Sequence, residues 1–594
     1  MCGIFGFYLN RGLDERDIEL GHTFTKKLSH RGPDNLGTWY KKSEGIFLGH
    51  TRLSIIDLSK ESNQPFHQNN QHLIFNGEIY NFQELRSHLI SKGDEFHTHG
   101  DTEVLSHFLR RYGVSKLDDI DGMFAFANYM DRRLTLATDI FGEKPLYWSK
   151  QKDGFYFSSE PAPLVEMLKL VITTDESFHQ EFNTLGYLSS SKTMFEGLYK
   201  CEPASLFIID NPTDIKKSIY WKRPEIHIGR GKVLPLNEAE LDDIANLILD
   251  SLSKRIYSDV DMGLFLSSGI DSSLIACMLK KDLKRDVLGL TVSFDKNQIH
   301  NESIRAKAIA EYLNMEHLIV DSQDPSQSYG IDDLKNLYGE PNDNITVFSV
   351  RQMSRIAKKY FTVALSGTGG DELFLGYGKH QFIYQNEKLL NSFLFNSLLD
   401  ILNRLGFSKI KKLKTAIFLS KFRGPDLVLA LKNNPYFLDP DIKDHFAKAE
   451  DIFHANHSSL LLNYMEFDLG TNMPFSIIPS IERGSMKEAL EVRTPFLNKN
   501  LLELVSSFDC RRFLLGGQKV VLRKILSRYL PQALIDKEKK GFVFPINQFL
   551  ENNQELIKAS TDKDNNIDYI YKNTMVDPLW SKLLLRKILN SSYE

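Results

Sequence analysis

Leu264-Phe265-Leu266-Ser267-Ser268-Gly269-Ile270-Asp271-Ser272-Ser273 is the stretch on which the fold turns. Residues 262–266 read as a short apolar strand, and the chain after Ser273 as a helix with Leu274, Ile275, Met278 and Leu279 on one face. A strand that ends in a hydroxyl- and glycine-rich turn at a helix start makes an anion site. The first backbone N–H groups of the helix have no partner inside it, and its dipole favours negative charge. The hydroxyls of Ser267, Ser272 and Ser273 add donors, and Gly269 lets the backbone approach a ligand closely. Asp271 discriminates. A carboxylate in an anion cradle repels the ligand unless it holds a metal ion that also touches the phosphates. The bland alternative is a serine-rich, N-capped helix.

The stretches around it set the architecture. Residues 287–294 and 317–320 read as strands, separated by a helix with apolar residues at Ile304, Ile309, Tyr312 and Leu313. Alternation of strand and helix argues for a parallel, doubly wound sheet, whose ligands bind beyond the carboxyl ends of the strands. Val363-Ala364-Leu365-Ser366-Gly367-Thr368-Gly369-Gly370-Asp371-Glu372 is a second strand, glycine-rich turn, acid and helix. Asp271 and Asp371 could therefore share one Mg²⁺ on a pyrophosphate.

The first loop lacks the G-x-x-x-x-G-K-[ST] pattern and is not a Walker A loop. It resembles the pyrophosphate-binding loop of the ATP pyrophosphatases, S-G-G-x-D-S-[ST], with Ser268 in place of the first glycine. The resemblance implies ATP cleaved between its α and β phosphates, with adenylation of a substrate.

The other end of the chain carries different chemistry. It begins Met1-Cys2-Gly3-Ile4-Phe5-Gly6. Removal of methionine before a small residue would leave Cys2 first, its thiol beside its own α-amine. A thiol is the best side-chain nucleophile near neutral pH, and an α-amine with a pKa of about 7.7–8.0 suits a general base. The alternative is a buried structural cysteine in a first strand. His30-Arg31-Gly32-Pro33-Asp34 is a charged turn, and residues 50–57 read as a strand carrying Arg52, which wants a carboxylate partner. Asn76 and the N–H of Gly77, after a strand at 72–75, can stabilise an oxyanion. Asp101 precedes a helix and could cap it or bind an amine. Residues 121–127 read as a core strand. His97 and His99 read as loop residues.

Together the terminal cysteine, R-G-P-D, R-L-S-I, N-G-E-I-Y-N and G-D-T-E resemble the class II glutamine amidotransferase domain. That domain is an N-terminal-nucleophile hydrolase with two sheets stacked between helices (αββα). By the resemblance, Cys2 attacks the side-chain amide of glutamine and Asn76 with Gly77 forms the oxyanion hole. Arg52, with Leu53 and Ile55 beside it, holds the α-carboxylate, and Glu78 and Asp101 hold the α-amine. Thr138 stands where the family usually has arginine, before Asp139 and the turn Phe141-Gly142-Glu143-Lys144-Pro145-Leu146-Tyr147.

Further motifs extend the resemblance to glutamine-hydrolysing asparagine synthetases over nearly the whole chain. They are Glu482-Arg483-Gly484-Ser485-Met486, Glu491-Val492-Arg493-Thr494-Pro495-Phe496, Gln518-Lys519 and Lys539-Lys540-Gly541-Phe542 with Pro545. The implied organisation is a glutaminase domain at 2–205, a connection at 206–235, and at 236–594 an ATP pyrophosphatase domain with a helical C-terminal part. Phe265, Val292, Ser366 and Gly367 are expected on the adenosine, Ser267 to Ser273 on the pyrophosphate, and Lys519 on the charge of the adenylate. Thr368, Asp371, Arg483 and Glu491 are expected in the acceptor and adenylate region, with Arg483, Glu491 and Arg493 either shaping the acceptor pocket or holding the domain together. The family's second loop usually reads S-G-E-G-x-D-E-[LV]-F-G-G-Y. Here Thr368 replaces the glutamate and Leu375 a glycine. Ser480, Glu482 and Asn498 also depart from the usual lysine and aspartates.

Composition sets the outer bounds. With 594 residues the chain should hold at least two domains, and charged and hydrophobic fractions of 25% and 42% are those of a globular protein. A net charge of −4 gives no global reason to expect nucleic acid. Cys2, Cys201, Cys277 and Cys510 lie far apart without C-x-x-C, so neither a zinc site nor a disulfide framework is indicated. No apolar run spans a bilayer and no signal peptide is visible, which makes a cytoplasmic setting the expectation. The expected substrates are ATP with Mg²⁺, glutamine and a carboxylate acceptor; a homodimer is the expected assembly. Aspartate is the first acceptor, and another carboxylate, such as a uronic acid of a surface polysaccharide or a natural-product precursor, is the second. A non-catalytic binding protein is a third reading, against which Cys2, Asn76, Asp101, Asp271, Asp371 and Lys519 argue. The basic, apolar-interleaved stretch at 403–423 reads as a solvated helical face or a surface that meets a membrane or polyanion.

Overall fold

The computed structural model describes residues 2–293, 300–322, 328–390, 422–433, 457–535 and 546–553, with scattered positions in 392–420, at 452 and in 584–589. Most of the basic stretch at 403–423, and the motif at 539–545, lie outside the described residues.

Two six-stranded antiparallel sheets form the first domain. One runs in the order β10 (Leu198–Lys200), β8 (Tyr147–Lys150), β9 (Gly154–Ser158), β1 (Gly3–Leu9), β3 (Ile46–Arg52), β2 (Asn35–Lys41). The other runs β12 (Asp214–Ile219), β11 (Ser205–Asn211), β7 (Arg133–Thr138), β6 (Gly122–Met130), β5 (Gln71–Ile79), β4 (Phe66–Gln68). β1 and β3 are buried along their whole length because alternate residues serve two cores. Ile4, Tyr8 and Leu48 meet Ile74, Ala127 and Leu136 of the second sheet. Phe5, Phe7 and Phe47 pack outward with Ile18 and Phe24 of the helix Glu15–Lys26. On the far side, Phe75, Phe124 and Phe126 cover the helices Phe82–Ser91 and Asp101–Tyr112. These cores define the αββα sandwich. The second sheet runs on to Ile219, past the expected boundary at residue 205.

The second domain is built on a five-stranded parallel sheet, β15 (His317–Asp321), β14 (Leu288–Ser293), β13 (Met262–Phe265), β16 (Val363–Leu365), β17 (Glu491–Arg493). Strand order reverses between β13 and β16. That switch point is where loops diverge and a crevice opens. Both glycine-rich loops leave the sheet there. Helices from residue 460 onward, joined by the helix Glu238–Arg255, pack into one large core with the helix Ile270–Cys277. No described helix is long and apolar enough to cross a membrane.

Three sequence expectations need correction. The strand read at 50–57 ends at Arg52, because the Arg52 guanidinium draws the next carbonyls round itself: Nη1 donates to Ser59 O at 2.8 Å and Nη2 to the carbonyls of Ile56 and Asp57. The strand read at 72–75 instead continues through Asn76, Gly77 and Glu78 to Ile79. On the helix His300–Tyr312, Ile309 is buried, as is Leu313 just past its end, but Ile304 and Tyr312 are exposed, since this helix covers the sheet with one narrow face only.

Candidate active site

Cys2 lies just ahead of β1, almost fully buried. Its N–H donates to Asn76 Oδ1 at 3.0 Å, and its carbonyl accepts from Arg31 Nε at 3.0 Å. Burial pushes the thiol up, while the amino terminus, the Leu53 N–H and the Arg52 guanidinium draw it back down. Asn76 spends its oxygen on Cys2 and leaves Nδ2 buried with no hydrogen-bond partner among the described residues. A buried unsatisfied donor costs about 1–3 kcal/mol, and its place beside the Cys2 thiol suits a site for developing negative charge. Gly77 follows at φ +153, and a Cβ there would stand 2.0 Å from the Met123 carbonyl.

Around this pair, Leu53 and Ile55 are buried and Arg52 organises residues 56–63, with Nη1 also donating to Asn63 Oδ1 at 2.8 Å. Gly100, not Asp101, takes the cap position of the helix Asp101–Tyr112. The Asp101 carboxylate instead accepts the Ile79 N–H at 2.9 Å, and burial pushes it up to about 6 against that bond. Glu78, buried beside it, is pushed well above the usual carboxylate range by burial and by Glu491. Two buried carboxyls side by side suit a ligand that brings a positive charge.

Thr138 does not disturb the turn that follows it. The Asp139 carboxylate accepts the N–H groups of Phe141 at 2.9 Å, Glu143 at 2.9 Å, Lys144 at 3.0 Å and Phe124 at 3.1 Å. Thr138 itself donates to Glu202 O at 3.0 Å.

In the second domain the cradle is self-ordered. Ser267 Oγ and Ser272 Oγ lie 2.9 Å apart, and the Gly269 N–H donates to Ser267 Oγ at 3.1 Å. Ser273 Oγ is buried with no hydrogen-bond partner among the described residues. The second loop packs directly on Asp271: a Cβ on Gly367 would stand 2.7 Å from Asp271 Cβ, and one on Gly370 2.9 Å from Asp271 Cγ. Glycine at these positions lets two acids from different loops converge. Lys519 joins them, its ammonium paired with Asp271 and 2.7 Å from Asp371 Oδ1. Burial works against the Lys519 charge, but the two carboxylates raise its pKa. Leu375, in the glycine position of the family's loop, adopts φ +53, a region that suits glycine, and is held there by complete burial.

A cavity of about 1060 Å³ opens at the switch point. Phe265, Ser267, Ser268, Gly269, Asp271, Ser272, Val292, Ser366 and Gly367 line it, with Thr368, Asp371 and Lys519. Arg483 and Glu491 do not; their charges draw them to the domain boundary. Arg483 reaches Tyr147 OH at 3.2 Å and Glu160 Oε1 at 3.3 Å. Glu491 pairs with Arg493 at 2.7 Å, and Arg493 faces Glu78 at 3.5 Å. A second, small pocket of about 20 Å³ is lined by residues of both domains, Glu143, Lys144, Thr368, Ile481, Glu482 and Thr494 among others. Thr368 lines both.

The donor set fits a magnesium ion. Mg²⁺ is bound by one or two carboxylates with substrate phosphates and water completing its shell, and Asp271 and Asp371 both reach the single Lys519 ammonium. No group of three or more metal-ligating side chains occurs among the described residues.

Two cavity residues, Arg586 and Asp343, carry no signal in the sequence. Arg586 donates through Nε to Asp343 Oδ2 at 2.6 Å and through Nη1 and Nη2 to the last carbonyls of the helix Glu176–Leu185, including Leu185 O at 3.0 Å. Both line the cavity. A lone arginine far along the chain from its partners carries no local pattern.

Fold and sites thus define an N-terminal-nucleophile glutamine amidotransferase domain joined to a parallel-sheet domain of the ATP pyrophosphatase type. Comparison with known proteins agrees. A family described as glutamine amidotransferase domain matches residues 1–221, and one described as asparagine synthase matches residues 243–592. Asparagine synthetase [glutamine-hydrolyzing] 1 of Bacillus subtilis is 30% identical, over 98% of this chain and 93% of its own. Amidase chry2 of Gibberella zeae is 28% identical over 64% of this chain and 59% of its own. Among solved structures, the glutamine phosphoribosylpyrophosphate amidotransferase of Bacillus subtilis matches with a TM-score of 0.30 and 15% identity, covering 57% of this chain and 90% of that one. The chain belongs to the glutamine-hydrolysing asparagine synthase family.

Proposed function

We propose that this enzyme hydrolyses glutamine at Cys2 and delivers the ammonia to an acyl adenylate made from ATP and a carboxylate in the second domain. Aspartate is the acceptor, and the products are asparagine, glutamate, AMP and pyrophosphate. The observation that carries the reading is the buried, unpartnered Asn76 Nδ2 beside the Cys2 nucleophile.

In the first half-reaction the Cys2 thiol loses its proton to its own α-amine and attacks the glutamine amide carbon. Asn76 Nδ2 and the Gly77 N–H receive the oxyanion. Arg52 holds the substrate α-carboxylate, and Glu78 and Asp101 hold its α-ammonium. Ammonia leaves, and water releases glutamate from the thioester. In the second domain Phe265 and Val292 flank the adenosine, with Ser366 and Gly367 on the facing loop. Ser267, Ser268, Gly269, Ser272 and Ser273 cradle the pyrophosphate. Asp271 and Asp371 would hold Mg²⁺, which supplies charge neutralisation on the phosphates. Lys519 stabilises the negative charge that develops as the carboxylate attacks the α-phosphate.

Ammonia in bulk water is mostly ammonium, which is not a nucleophile, so the transfer favours a dry route. The small pocket has room for one molecule the size of water or ammonia, which needs about 10–15 Å³. Thr368 forms its wall on the adenylate side.

A second reading keeps this chemistry and enlarges the acceptor. Thr368 cannot act as base or ion-pair partner as a glutamate would. Pyrophosphate release with aspartate as sole acceptor, with asparagine identified as product, tests the first reading. Absence of release from protein that still hydrolyses glutamine would overturn it and favour a larger carboxylate such as a sugar acid.

A further inference from the structure

Arg493 touches both halves of the enzyme. Its carbonyl accepts the Ser366 N–H at 2.9 Å, where the second nucleotide loop leaves β16, and its register partner there is Leu365. Its side chain is 1% exposed and runs the other way. Nη2 lies 3.5 Å from Glu78 Oε2 in the first domain. Nε donates to Glu491 Oε1 at 2.7 Å, and Nη1 donates to the carbonyls of Arg255 at 2.8 Å and Tyr257 at 2.5 Å. Glu78 Oε2 and Arg493 Nη2 face each other without a hydrogen bond. The Glu78 side of Arg493 is therefore its loosest attachment, and the three on its own domain are well made.

We propose that Arg493 is a positioning residue that couples glutamine binding to ATP binding by shifting from Glu78 to Glu491 when the substrate arrives. This rests on the reading that Glu78 and Asp101 receive the glutamine α-ammonium. That ammonium brings a new positive charge against Glu78 in a dry interface, where charge pairs are strong. The carboxylates that act on Glu78 are Asp101 and Glu491, Tyr80 presents its ring to Arg493 at 5.9 Å, and Glu491 is the acid left to Arg493. Drawn wholly onto Glu491 and the two carbonyls, Arg493 holds β17 more firmly in register with β16 and keeps the Ser366 loop in its nucleotide-binding position. Glutamine therefore tightens ATP binding, and by linkage ATP tightens glutamine binding by the same factor.

The test uses full-length Cys2→Ala protein, which binds glutamine without turnover. The dissociation constant of ATP with Mg²⁺ is measured by calorimetry with and without saturating glutamine. The expected tightening is at least about fivefold. In Cys2→Ala/Arg493→Lys, a lysine cannot reach Glu491, Glu78 and two carbonyls at once, and the tightening should fall below about twofold while each ligand alone still binds. Cys2→Ala/Glu491→Gln removes the receiving carboxylate and should reduce it likewise, which decides the matter if the lysine variant does not fold. No tightening in Cys2→Ala, or full tightening in both double variants, overturns the proposal. Failure of Cys2→Ala to bind glutamine at all overturns the reading of the glutamine pocket, and the coupling with it.

Discussion

Arg31 and Glu482 form an ion pair across the boundary between the two domains, with Arg31 wholly buried and Glu482 4% exposed. The same guanidinium holds the Cys2 carbonyl at 3.0 Å and Glu160 Oε1 at 2.9 Å. Glu482 belongs to the helix Ile478–Met486, whose Ser480 and Ile481 line the large cavity. Cys2 is thus seated on a charge network that the second domain completes.

Removing one partner of a buried pair leaves the other charge uncompensated, at about 3–5 kcal/mol. Glu160 remains to Arg31, so Glu482→Gln should cost toward the lower end, about 3 kcal/mol. A lower urea midpoint for the first unfolding transition is expected, together with reduced glutamine hydrolysis. An unchanged midpoint would mean that Glu160 alone satisfies Arg31.

Asn76→Ala removes the Nδ2 donor and the partner of the Cys2 N–H. The expected effect is roughly a 100- to 1,000-fold loss in kcat for glutamine hydrolysis with little change in KM. Synthesis from added ammonia should survive. A loss confined to KM would assign Asn76 to substrate binding instead.

Asp101 gives a pH signature. Its carboxyl is raised to about 6 in the folded protein, so it is protonated below that and cannot pair with the glutamine ammonium. kcat/KM for glutamine, which reports the free enzyme, should fall about tenfold per pH unit below 6. His50 does not confuse this limb, because burial lowers it to about 3 and it stays neutral. The same shift has a stability sign. The folded state binds the proton more tightly than the unfolded chain, so this contribution is complete below the unfolded pKa near 4 and is lost as pH rises through about 6. Asp101→Asn should remove the Asp101 part of that limb and leave the part due to Glu78, which burial and Glu491 hold well above the usual carboxylate range. A limb unchanged in that variant would mean that Asp101 does not contribute to it.

What was legible in the sequence is what a few neighbouring residues encode. Ser267 to Ser273 specify strand end, turn and helix start within one stretch, and the helix begins at Ile270 after Gly269. The short local motifs around Cys2 and Asn76 marked two residues that the structure brings together at 3.0 Å. The strand read at 50–57 failed because Arg52, an apparent strand residue, binds the carbonyls that follow it. Pairs such as Arg31 with Glu482, Arg493 with Glu78 and Arg586 with Asp343 were not legible. The first two form only when the domains dock and the third only when distant segments of the second domain pack together, and no spacing in the chain signals any of them.

Lys519 stands between two acids that would otherwise repel each other and the phosphates. Lys519→Ala should lower acceptor-dependent pyrophosphate release at least about 100-fold, the scale of losing one donor aimed at developing charge. Glutamine hydrolysis in the other domain should continue. Chelation of Mg²⁺ should produce the same split, because Asp271 and Asp371 belong only to the second site. Loss of both activities on chelation would place a metal requirement in the first domain too.

Thr368 tests the route between the sites. It walls both the small pocket and the large cavity, and its Oγ1 lies 2.9 Å from Ser366 Oγ. A pocket of about 20 Å³ has no room for an extra methyl group and a passing ammonia together. Thr368→Leu should therefore depress glutamine-dependent synthesis far more than synthesis from added ammonia, which can enter through the open cavity. Glutamine hydrolysis would run on, so glutamate formed per AMP should rise well above one. Thr368→Val keeps the volume and removes only the hydroxyl, and should leave that ratio near the parent value. If valine uncouples the reactions as strongly as leucine does, the hydroxyl and not the space is what ammonia needs at this wall.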